Sequence, residues 1–85
     1  MKADKIFKNR DRLIELGLTI AHIRKLQGMS QEQLAERAGI SRSHLSSIEA
    51  PNYVQPFSVS VLFAIADALN VRAGDLLNAR WIHKP

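Results

Sequence analysis

The sequence predicts an all-α fold, a compact bundle of five helices, from three observations. Apolar residues recur at three-to-four spacing along most of the chain, and no alternating strand pattern runs beyond a few residues. Cap-forming serines (Ser30, Ser41, Ser58) and left-handed stop residues (Gly28, Gly39, Asn70) divide that periodicity into short segments. Finally, 85 residues with 46% hydrophobic and 24% charged side chains suit one soluble domain. A domain of that size buries only about 60% of its unfolded surface, so its core is small.

The elements follow in order. Leu13, Leu16, Ile20, Ile23 and Gln27 set a helical row, predicting a first helix over Asp11–Gln27 that stops at Gly28; a short extra turn is expected around Lys5–Lys8. Ser30 followed by Gln33 has the form of a capping box, with Met29 placed as a hydrophobic staple. The second helix, Gln31–Ala38, buries Leu34, Ala35 and Ala38 and stops at Gly39. At that length it depends on packing. Ser41 caps a third helix, Arg42–Glu49, with Leu45 and Ile48 inward. Pro51, Asn52 and Pro56 make Ala50–Pro56 a loop. Ser58 caps a fourth helix, Val59–Leu69, which buries Leu62, Ile65, Ala66 and Leu69 and ends at Asn70. Ala73–Leu77 is a short fifth helix. The chain thus divides into a basic arm or helix extension (1–12), a domain (13–77) and a C-terminal tail (78–85).

Composition removes several function classes. Without cysteine there is no disulfide framework, iron–sulfur site or cysteine-ligated zinc finger. His22, His44 and His83 are scattered and lack partner ligands, so no metal or other cofactor is implied. No G-x-S-x-G or S-x-x-K motif surrounds any serine, and no catalytic residues are expected. The longest apolar run, Val61–Ala66, falls far short of the roughly 20 residues that span a bilayer. The charged N-terminus has no secretory signal, which predicts a cytoplasmic protein. The net charge of +4 favours a polyanionic partner. Most of the excess lies in residues 1–12, where Lys2, Lys5, Lys8, Arg10 and Arg12 face only Asp4 and Asp11. A solvated helix end is the alternative explanation of that arm.

Gln31–Ala50 is the informative segment. Two short helices joined through Gly39 and Ile40 describe a helix-turn-helix. Ala35 is small where the helices cross, Gly39 turns the backbone with positive φ, and Leu34, Ala38, Ile40, Leu45 and Ile48 form the apolar wedge between them. The outer face of the third helix carries Arg42, Ser43, Ser46 and Ser47, with His44 flanking. A polar, mostly small face fits a DNA major groove, where Arg pairs with guanine and Ser bonds several base edges. A solvated amphipathic helix would carry a similar face.

Ser30–Glu49, SQEQLAERAGISRSHLSSIE, resembles the helix-turn-helix of the phage Cro/repressor class, the xenobiotic-response-element (XRE) type of bacterial regulators with a lambda-repressor-like fold. Leu16–Met29 resembles that family's first helix and Val61–Leu77 its last two. The resemblance implies a DNA-binding transcriptional regulator, in most cases a repressor, acting on double-stranded DNA as a homodimer. It assigns base reading to Arg42, Ser43 and Ser47. It assigns phosphate contacts to Gln31, Ser41, His44, Ser46, Asn52 and Tyr53. Arg24 and Glu49 match the family's structural ion pair, which orients the third helix. The sequence departs from the family in the loop Ala50–Phe57, which is longer than in many relatives and has no Lys or Arg. Affinity is therefore expected to depend on Arg42 and the arm. Phe63 and Trp81 either fold over the small core or form a dimer contact. The rival function on the same fold is an antitoxin or protein-interaction module that binds a small toxin, with DNA secondary or absent.

Overall fold

A computed structural model describes residues 9–52 and 56–78. Among them the chain forms five helices: α1 (Arg10–Leu26), α2 (Gln31–Ala38), α3 (Arg42–Glu49), α4 (Val59–Leu69) and α5 (Ala73–Leu77). Only α1 departs from the expected bounds, by one residue at each end. The shift at its C-terminus accompanies a long-range contact. Spacing puts Gln27 on the apolar row, but it is exposed, and its amide donates to the Leu69 carbonyl at 2.7 Å. It ties the end of α1 to the end of α4 instead of filling the core.

Starts and stops follow from single side chains. Ser30 accepts from the Gln33 N–H at 3.1 Å while Gln33 Oε1 accepts from the Ser30 N–H at 2.9 Å, the reciprocal capping box. Ser41 and Ser58 cap α3 and α4 by accepting from the His44 and Val61 N–H groups. Three helices end alike, with a left-handed residue at φ 71° (Gly28), 73° (Gly39) and 59° (Asn70). After each, an apolar residue (Met29, Ile40, Val71) donates its N–H back to a carbonyl five residues earlier. This is the Schellman arrangement, and it brings those apolar residues onto the core.

The core is assembled from every helix: Ile20 and Ile23 of α1, Leu34 and Ala35 of α2, Leu45 and Ile48 of α3, Leu62, Ile65, Ala66 and Leu69 of α4, and Leu76 of α5. Met29 joins the same cluster as Leu34, the two positions flanking the start of α2 that a staple pairs. α2 lies between α3 and α4, and α1 crosses α3, α4 and α5. Phe63 does not fold over this core; it is 54% exposed, with Val59 exposed one turn before it. The expected turn at Lys5–Lys8, Tyr53, His83 and Trp81 fall outside the described residues.

Candidate nucleic-acid interface

The interface is built from its buried side outward. Arg24, seven per cent exposed on α1, meets Glu49, six per cent exposed at the end of α3. Nε and Nη2 of Arg24 donate to the two carboxylate oxygens of Glu49, each at 2.9 Å. The third guanidinium nitrogen, Nη1, donates to the Met29 carbonyl at 2.8 Å. Gln31 Nε2, from the first turn of α2, donates to Glu49 Oε1 at 2.9 Å. One guanidinium and one carboxylate thus join α1, the turn into α2, the start of α2 and the end of α3. The two-pronged geometry suits arginine and would be lost with lysine.

Ser43 and Ser46 point away from the inward-facing Leu45 and Ile48, and Arg42, in the first turn on the Glu49 side of the helix, reaches solvent at its start; all three are exposed. Ser47 is half-buried and donates its hydroxyl to the Ser43 carbonyl at 3.0 Å, leaving its oxygen lone pairs to accept. Ser41 Oγ, already the α3 cap, lies 3.3 Å from Ser43 Oγ. An open cleft of about 400 Å³ separates the starts of α2 and α3; Arg42 and Arg24 line it with Ser30, Gln31 and Glu32. Arg42 therefore shares this cleft with the first turn of α2, where the helix dipole favours an anion.

Of the residues expected at the interface, Arg42, Ser43, Ser46 and Ser41 share one exposed face with half-buried Ser47. Asn52 is exposed in the turn after α3. Gln31 lies at the edge of the cleft, with one of its two amide hydrogens committed to Glu49. His44 is placed differently. It is half-buried and its Nε2 is enclosed by protein without a hydrogen-bond partner, so contact with a phosphate through that atom requires the ring to turn. The Arg24–Glu49 pair forms as expected, but sequence reasoning missed its links to Met29 and Gln31, which depend on tertiary placement. It also missed Gly17, buried within α1 against the end of α3. A glycine inside a helical pattern was the available signal.

Comparison with known proteins places the arrangement in a family. A family model described as Helix-turn-helix matches residues 20–76. The immunity repressor protein of Bacillus phage phi105 is 39% identical over 69 residues, 81% of this chain and 46% of that protein. The HTH-type transcriptional regulator SinR of Bacillus licheniformis is 38% identical over 65 residues, 76% of this chain and 58% of that protein. This chain thus matches about half the length of these curated relatives. The crystal structure of SinR, a master regulator for biofilm formation, in complex with DNA superposes with a TM-score of 0.67 at 38% identity, covering 74% of this chain and 98% of that one. The chain belongs to the helix-turn-helix family of Cro/repressor, XRE-type regulators.

Proposed function

We propose that this protein is a sequence-specific DNA-binding transcriptional regulator, a repressor, that lays α3 in the major groove. The carrying observation is the division of α3 into a locked inner side and an exposed polar row headed by Arg42. On this reading Arg42, Ser43 and Ser47 address base edges. Gln31, Ser41, Ser46, Asn52 and Tyr53 hold the sugar–phosphate strands, with His44 joining them once its ring turns. The second amide hydrogen of Gln31 is the one left for a phosphate. The cations of residues 1–12 add attraction to DNA outside the 13–77 domain, while 78–85 is a tail. The protein acts in the cytoplasm as a binding module without catalysis.

We further propose a homodimer, supported by the exposed apolar pair Val59 and Phe63 on α4. Two-fold pairing would set two α3 helices about one DNA turn apart. Selection from randomised duplex DNA at stated salt tests both points. The expected product is a two-fold symmetric site. A single enriched half-site would remove the dimer, and no enrichment would remove DNA reading and return the protein-interaction alternative. Phe63→Glu is expected to convert a sedimenting dimer to monomer without unfolding it.

A further inference from the structure

We propose that Gly17 is a positioning residue for α3: by letting two backbones touch, it sets the angle at which the exposed row of α3 is presented. The inference rests on α3 being the reading helix. Gly17 lies buried in the middle of α1, where glycine weakens a helix relative to alanine, so its presence calls for a compensating contact. A Cβ there would collide with the Ile48 carbonyl oxygen and would stand 3.2 Å from the Ile48 carbonyl carbon and 3.4 Å from Glu49 Cα. All three atoms are backbone, so no side-chain rotation relieves the collision. At Gly28, Gly39 and Gly74 the same Cβ would meet nothing within 4 Å.

Gly17, Ile20 and Arg24 stand at i, i+3 and i+7, one face of α1, and all three are buried. α1 therefore seats the last turn of α3 at two points, backbone against backbone at Gly17 and guanidinium against carboxylate at Arg24. α3 has eight residues and is about 12 Å long, so displacing its last turn by about 1 Å tilts the helix by about 5°. Such a tilt moves Arg42, Ser43 and Ser47 together without altering any of them. Gly17 acts on base reading through α3 and touches no DNA.

The test compares wild type, Gly17→Ala and Gly74→Ala on the duplex that wild type selects, at a temperature where circular dichroism reports each as folded. Gly74→Ala, in open space on α5, is expected to bind like wild type. Gly17→Ala is expected to bind that duplex about tenfold more weakly, the scale of one misaligned base contact. It should also rank single-base variants in a different order while keeping its affinity for unrelated duplex. Where Gly17→Ala folds poorly, the Gly17→Ala/Gly74→Ala double variant carries a compensating helix stabilisation. A folded Gly17→Ala with wild-type affinity and ranking overturns the positioning role and leaves the DNA reading standing. Failure of both Gly17 variants to fold, even with saturating duplex, reduces Gly17 to a purely structural contact. If wild type enriches no sequence, the reading on which the inference rests falls first.

Discussion

The two sides of α3 differ in kind, although eight residues carry both. The inner side, Leu45, Ile48 and Glu49, is buried, and the Glu49 carboxylate accepts from three donors on two other helices. The outer side, Arg42, Ser43 and Ser46, is exposed, and its hydrogen bonds stay within the helix and its cap. On the proposed function, holding and reading are therefore carried by different residues. Variants should divide accordingly, with loss of a buried side chain lowering stability more than it changes sequence preference, and outer changes doing the reverse.

The largest effect belongs to the inner side. Arg24→Ala leaves the Glu49 carboxylate buried with only Gln31 donating to it, and removing one partner of a buried pair costs about 3–5 kcal/mol. At roughly 4–8 °C per kcal/mol for a domain this small, the thermal midpoint should fall by more than about 10 °C. That loss of stability should exceed any change in the sequence preference of the surviving folded protein. A midpoint equal to wild type would sink the architectural role of the pair. Arg24→Lys keeps the charge but loses the fork, and should fall between the two.

On the outer side the largest expected effect is that of Arg42→Ala. Its stability should stay within about 0.5 kcal/mol of wild type, as for an exposed residue. Binding should weaken by about 1–3 kcal/mol and specificity should relax at one base position. Its place beside the start of α2 gives the competing outcome a physical basis. An equal loss on every duplex, with a salt dependence shallower by about one counterion, would make Arg42 a phosphate contact.

Legibility in the sequence follows the same division. Helix limits were readable because each is set by a local side chain or a left-handed residue: Ser30, Ser41, Ser58, Gly28, Gly39 and Asn70 act within a few residues of themselves. The apolar row of α4 was readable because period alone assigns Leu62, Ile65, Ala66 and Leu69 to one face. Spacing failed at Gln27, whose amide seeks a carbonyl 42 residues away. The Arg24–Glu49 pair came from family resemblance. Its links to Met29 and Gln31, and the contact of Gly17 with Ile48, depend on how α1 crosses the turn and α3, which no local pattern encodes.

Two capping serines sharpen the comparison at smaller scale. Ser30→Ala and Ser41→Ala each remove one side-chain acceptor at a helix start and should cost about 1 kcal/mol in urea unfolding. Ser30 is assigned neither a base nor a phosphate contact, so its variant should bind DNA as wild type once folded. Ser41 begins α3 and is proposed to contact a phosphate, so its variant should also lose affinity uniformly across sequences. Equal binding by the two variants would confine Ser41 to capping.

The smallest expected change in stability is at Ser47. Its hydroxyl bonds back to the Ser43 carbonyl, a bond that competes with regular helix geometry and contributes little. Ser47→Ala also gains helix propensity, so the unfolding free energy should stay within about 0.5 kcal/mol of wild type or rise slightly. Binding is the informative readout. With its hydrogen held by Ser43, Ser47 meets the groove as an acceptor and should prefer a base edge that donates, the amino group of cytosine or adenine. Ser47→Ala should therefore cost about 0.5–1.5 kcal/mol on duplexes with a donor at one position and nothing where that donor is replaced. A uniform loss would instead mean that the hydroxyl has turned outward to a phosphate, placing Ser47 with the residues that position α3 on the strand.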